Sequence, residues 1–125
     1  MPSYDFVHFT PPAPLALVTL RNSETGATCS DVPMLIDSGG DITLLPQKVA
    51  ELVGLSPLPD KGYELAAFDG SLTIAQVVHA EMIFIGKSFR GQFLLLEQEI
   101  GILGRNILNL FPILLDGPNL RWESK

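Results

Sequence analysis

The stretch Pro33-Met34-Leu35-Ile36-Asp37-Ser38-Gly39-Gly40-Asp41-Ile42-Thr43 passes from an apolar run straight into an acid, a hydroxyl and two glycines. An apolar run bounded by turn residues reads as a buried strand. Asp37 is therefore presented at the mouth of that strand, beside glycines that let another backbone approach closely. Taken alone, Asp-Ser-Gly is an ordinary surface turn; what flanks it decides its meaning.

Working outward, 11 glycines and 10 prolines punctuate short stretches rich in Val, Ile, Leu and Phe, the pattern of an all-β domain. Strands are predicted at Tyr4 to Thr10, Leu15 to Arg21, Ala27 to Ile36, Tyr63 to Phe68, Leu72 to Ile85, Ser88 to Leu96, Ile100 to Leu103, Ile113 to Leu115 and Leu120 to Glu123. Glu24 to Gly26, Asp69-Gly70, Gly86-Lys87 and Asp116-Gly117-Pro118 supply the turns. Pro11 to Pro14 reads as a stiff connector, because proline donates no ladder hydrogen bond. One helix is expected where Leu45, Val49, Leu52 and Val53 recur at helical spacing, with Pro46 in its first turn and Gly54 at its stop. A second, shorter one follows Gly104, with Ile107, Leu110 and Phe111 on one face. These apolar residues read first as core.

At 125 residues the chain fits a single domain, 1-125. Hydrophobic residues at 46% and charged residues at 18% are enough to pack a core and too little charge for a disordered chain. The formal charge of -6, with scattered basic residues, argues against nucleic acid as a partner, since binding needs a cationic face. Cys29 is the only cysteine, so no internal disulfide forms, and a lone thiol fits a reducing, cytoplasmic setting. No apolar run approaches the length of a membrane span, and the opening MPSYDFVHFT lacks the basic and apolar regions of a signal peptide.

Peptide hydrolysis without a metal or a covalent nucleophile needs one carboxylate to activate water while a neighbouring carboxylic acid protonates the carbonyl oxygen. Asp37 supplies one such group. About 65 residues downstream, Ile102-Leu103-Gly104-Arg105-Asn106 is another apolar strand that ends in glycine and a helix. In order and spacing these two segments resemble the retropepsins, the retroviral and retroviral-like aspartic peptidases, over roughly Leu15 to Trp122. The resemblance implies a closed-barrel-like acid protease (retropepsin) fold with one or two short helices. It makes Asp37 the catalytic acid, Ser38 the hydroxyl of its loop, and Gly39 and Gly40 backbone contacts for substrate. Asp41 falls where the family often holds a substrate main-chain amide. Ile102, Leu103 and Gly104 support the loop. The segment from Tyr63 to Val77, bent at Phe68, Asp69 and Gly70, corresponds to the flap that closes over an extended polypeptide.

The chain departs from the family at Gly40, where a small alanine is usual, and in a flap with one glycine at its tip. Its ends, Met1 to Thr10 and Arg121 to Lys125, lack the interleaving pattern by which the viral members dimerise. Asp-Ser-Gly occurs once; the other Asp-Gly pairs, at Asp69 and Asp116, lie in turns. One carboxylate cannot be base and acid at once, so the expectation is an endopeptidase that works as a homodimer with an Asp37 from each copy beside the twofold axis. The alternative is a catalytically silent peptide-binding or dimerisation module of the same fold.

Other chemistries find less support. His8, His79 and Cys29 match no compact metal spacing, so neither a metal nor another cofactor is expected. Ser38 lacks the Gly-x-Ser-x-Gly setting of a hydrolase elbow. Gly101 to Gly104 is too short to cradle phosphates, and no Gly-Lys-Ser follows a suitable strand.

Overall fold

The computed structural model describes residues 2–59, 61–66 and 69–125. Ten strands and two short helices follow in the order β1 (Tyr4–Asp5), β2 (Ala13–Arg21), β3 (Thr28–Ile36), β4 (Leu44–Pro46), α1 (Gln47–Leu52), β5 (Gly62–Ala66), β6 (Leu72–Phe84), β7 (Lys87–Leu96), β8 (Gly101–Leu103), α2 (Arg105–Leu108), β9 (Ile113–Asp116) and β10 (Arg121–Ser124). The main sheet runs β1-β2-β3-β8-β4-β7-β6-β5, and β2 also pairs with β6. That extra pairing closes β2, β3, β8, β4, β7 and β6 into a ring, which removes most of the free strand edges. The fold is all-β and barrel-like.

Closure is carried by register. Thr19 to Arg21 of β2 lie opposite Ile83 to Glu81 of β6, while Glu81 also lies opposite Arg90 of β7. Glu81 thus stands between Arg21 and Arg90, 3.3 and 3.4 Å from their guanidinium nitrogens, and accepts a hydrogen bond from the Ser88 hydroxyl. Paired and hydrogen-bonded, this buried carboxylate meets the condition under which burial of a charge is tolerated. The Ser88 hydroxyl above all, then Arg90 and Arg21, hold it below its ordinary pKa against the opposing effect of burial.

The barrel interior is packed by Val18, Leu20, Val32, Met34, Leu45, Val78, Met82 and Leu103, all but inaccessible to water. Trp122 of β10 caps it, edged by Phe84 and donating its indole N–H to the Leu15 carbonyl at 2.8 Å. A smaller cluster of Leu44, Ala75, Val77 and Leu94 gathers Ile42, Leu65, Leu96 and Ile102 around it. It ties the base of the β5–β6 hairpin to the segment that follows Asp37, through Ile42 and Leu44, and to β7 and β8.

Several local expectations change. The first strand stops at Asp5, because its Oδ1 accepts the Val7 and His8 amides and turns the chain. Ala13 and Pro14, expected in a connector, open β2 opposite Asp5 and Tyr4. Leu44 to Pro46 form β4, a strand read beforehand as the start of a helix; Leu45 is fully buried there and α1 begins only at Gln47. Leu52 and Leu110 were expected on buried helix faces, yet they are 76% and 56% exposed. The buried face of α1 is made by Ala50, with Val53 just beyond it.

Candidate active site

Asp37 follows the last residue of β3, and its amide donates to the Leu103 carbonyl of β8 at 3.1 Å. β3 and β8 are parallel, with Met34, Leu35 and Ile36 opposite Gly101, Ile102 and Leu103. β4, on the other side of β8, puts Leu44 opposite Ile102. The loop 37–43 must therefore cross the end of β8 to pass from β3 to β4. Gly104 lies beneath the crossing: a Cβ there would collide with the backbone of Ile42. Gly101 is confined in the same way by Met34 Sδ and the Leu44 carbonyl. Leu103 and Gly104 are the strand end over which the acidic loop is folded.

Hydrogen bonds fix the loop's shape. The Gly39 amide donates to Asp37 Oδ1 at 3.0 Å, and the Gly40 amide to the Asp37 carbonyl at 3.1 Å. Asp37 is half-buried, while Ser38, Gly39 and Asp41 are exposed, so the acid is held at the surface of the barrel with open backbone beside it. A Cβ on Gly40 would stand 3.3 Å from Asp37 Oδ2, and one on Gly39 3.3 Å from Oδ1. Both glycines leave the carboxylate uncrowded.

The segment after Gly104 clamps the loop from below. The Arg105 amide donates to the Gly40 carbonyl at 2.8 Å, and its guanidinium to the Ser38 carbonyl at 2.8 Å. The Thr43 hydroxyl donates to Asn106 Oδ1 at 2.7 Å and accepts the Gly104 amide at 3.1 Å. Thr43 is fully buried, and its bond from the buried Gly104 amide is made out of water, where leaving it unmade is expensive. Sequence reasoning named Thr43, Arg105 and Asn106 only as part of motifs and gave them no role. Their signal was a buried hydroxyl following the acid loop and two polar residues following the glycine. Within the chain, the contribution of Ser38 to the clamp is its carbonyl, which accepts from Arg105.

Asp69 and Gly70 sit at the exposed turn of the β5–β6 hairpin, and Phe68 lies outside the described residues. Gly70 has φ +86°, which explains glycine at that position. Asp69 Oδ1 accepts the Ser71 hydroxyl at 2.6 Å and its amide at 2.9 Å, bonds that hold the carboxyl below its ordinary pKa. Behind the turn Leu72 and Ile74 are exposed, whereas Ala75 and Val77 join the smaller cluster. Among the described residues no group of three His, Cys, Asp or Glu is arranged to hold a metal ion, and no helix is long and apolar enough to cross a membrane.

No protein-family model matches this sequence, and no curated protein matches it. Among solved structures, the chain is similar to the EIAV protease in complex with the inhibitor HBY-793, at 16% identity and a TM-score of 0.62. The match covers 84% of this chain and 90% of that one. At such identity the likeness speaks for the fold alone, and the fold is that of a retropepsin.

Proposed function

We propose that the chain is an aspartic endopeptidase whose site is completed when two copies bring their Asp37 side chains together. The observation that carries this reading is the half-buried Asp37 at the end of β3, fixed by Gly39 and by the Arg105 clamp over Gly104. In the proposed reaction one Asp37 is ionised and takes a proton from water as the water oxygen bonds to the scissile carbonyl carbon. The other, protonated, gives its proton to the carbonyl oxygen. As the tetrahedral species collapses and the C–N bond breaks, the Asp37 that took the proton from water gives it to the leaving nitrogen, and the hydroxyl that becomes the carbonyl oxygen returns its proton to the other Asp37.

Substrate is an extended polypeptide lying between the loop and the β5–β6 hairpin. The exposed backbone of Ser38 and Gly39, with half-buried Gly40 beside it, offers main-chain contacts, and the Asp41 carboxylate can accept a substrate amide. Phe68, Asp69 and Gly70 would close over the chain from the other side. The test is digestion of a peptide library across pH, run beside sedimentation of the same preparation. Cleavage by a dimer supports the reading; cleavage by a proven monomer sinks it. Peptide binding without cleavage at any pH favours the silent binding module.

A further inference from the structure

β6 and β7 pair from Phe84 and Lys87 as far as Val77 and Leu94, and there they part. Leu72 to Gln76 continue with β5, while Leu95 and Leu96 continue with β4. The parting strands enclose a wedge, a cavity of about 600 Å³. Its walls are apolar, with Leu65, Ile74 and Ala75 on the hairpin side and Leu95 and Leu96 on the other.

The backbone of β6 turns polar groups into this wedge. The β6–β7 hairpin turns on two residues, Ile85 and Gly86, both at positive φ, so Phe84 and Lys87 exchange both ladder bonds. Every second pair after them does the same, down to Val78 and Phe93. In that alternation Gln76, Ile74 and Leu72 direct their amides and carbonyls toward β7, which no longer lies beside them. The Val77 carbonyl points the opposite way, where it accepts the Leu58 amide at 2.7 Å. Among the described residues no strand pairs with this edge from Leu72 to Gln76. It carries neither charge nor proline, and Leu72 and Ile74 are exposed, so none of the usual guards against strand addition is present.

The mouth of the wedge is acidic. Gln47, Glu97 and Gln98 also line a second hollow, shared with Lys48, Glu51 and Glu99. Glu51, Glu97 and Glu99 are exposed, and among the described residues none of the three is ion-paired. One lysine stands against three carboxylates on a chain of net charge -6, which favours a cationic occupant.

We propose that the wedge docks an extended segment of another polypeptide, which adds a strand antiparallel to β6. Its apolar side chains lie against Leu65 and Leu95, and a basic residue follows them at the mouth, over Glu97 and Glu99. Backbone bonds to Leu72, Ile74 and Gln76 supply affinity, while the apolar walls and the acidic mouth supply selectivity. No residue of the loop 37–43 lines this cavity, so the site is separate from the Asp37 cleft and does not rest on the peptidase reading. A docked strand would tie β6 back to β7 and hold the base of the hairpin.

The probe is a fluorescent, acetylated peptide that alternates threonine and valine and ends in two lysines, titrated into the full-length chain. Binding should saturate, and hydrogen exchange should show protection at the amides of Leu72, Ile74 and Gln76. A probe ending in glutamates should bind about tenfold more weakly or worse. Ile74→Pro removes one amide facing the wedge and costs no bond to β5, since Ile74 and Glu64 form a pair without ladder bonds. It should weaken binding about tenfold, with circular dichroism to check folding; the exchange pattern of wild type decides if the variant does not fold. Four results overturn the site: no saturable binding, equal affinity for the glutamate probe, undiminished binding by folded Ile74→Pro, or protection confined to residues 62–66 or 38–41. Docking by a chain that cuts no peptide would leave this site standing and defeat the peptidase reading, whereas cleavage by a chain that docks no probe would do the reverse.

Discussion

The hydroxyl of Thr43 and the side-chain carbonyl of Asn106 meet at 2.7 Å across 63 residues of sequence, and this bond fastens the exit of the Asp37 loop to the helix that follows β8. Because the same hydroxyl accepts the buried Gly104 amide, removing it leaves that amide without its partner, while the exposed Asn106 turns to water.

Thr43→Val keeps the shape and deletes the hydroxyl. The expected loss is about 1–3 kcal/mol of unfolding free energy, the cost of a buried donor left without its partner. Urea titration measures it. A Thr43→Ser variant, which restores the hydroxyl, should recover most of the loss; equal instability of both would mean that packing of the methyl group, not the bond, is what matters.

Gly104 and Gly40 should respond differently to the same methyl group. At Gly104 a Cβ runs into the backbone of Ile42, and overpacking against main chain costs about 1–3 kcal/mol or more. At Gly40 the nearest atom is Asp37 Oδ2 at 3.3 Å, so a shift of a few tenths of an ångström suffices and Gly40→Ala should remain folded within about 1 kcal/mol of wild type. Gly104→Ala melting as high as Gly40→Ala would contradict a loop that crosses directly over Gly104.

Glu81 sets a pH dependence of stability. Its pKa is held below the ordinary 4.5 by the Ser88 hydroxyl first, against burial, and then by Arg90 and Arg21. A carboxylate with a lowered folded-state pKa binds fewer protons than in the unfolded chain. Its contribution is therefore complete above pH 4.5 and is lost as pH falls through the lowered value. Glu81→Gln should lower the melting temperature at neutral pH and narrow the gap to wild type in stronger acid. A gap that stays constant from neutral pH into strong acid would show that the charge does not matter. Since Arg21, Glu81 and Arg90 lie side by side where β2 meets β6 and β7, the barrel's closing seam stays ionised through mildly acid conditions.

Much of this was legible in the sequence because turn chemistry and strand alternation are local. Gly70 and Gly86 have positive φ at predicted turns, and the long strands fall within a few residues of where alternation places them. β4 was not legible, since Leu44 to Pro46 are too few to show a period and Leu45 also fits a helical spacing with Val49. Leu52 and Leu110 mislead for a related reason: an apolar residue at helical spacing looks like core until the tertiary contacts fix which face is covered. The clamp was hidden because Thr43 and Asn106 come together only when β8 slides under the loop. The Asp37 loop itself was readable, as its acid and glycines are contiguous.

Asp37 carries the final prediction. The proposed reaction needs one Asp37 of the pair ionised and the other protonated at the same time. Hydrolysis should peak at acid to mildly acid pH and fall once that proton is lost. Specific activity should also drop on dilution, tracking the monomer–dimer equilibrium measured by sedimentation. Asp37→Asn preserves size and the acceptor for the Gly39 amide but cannot act as base, so turnover should fall by at least a thousandfold, ~4 kcal/mol of transition-state stabilisation, while dimer and peptide affinity survive. Mixing the variant in excess with wild type makes the sharper measurement: heterodimers hold one competent acid each, so activity should decline faster than simple dilution explains. Activity that only scales with the wild-type fraction would mean that each chain works alone, and the shared site would have to be abandoned.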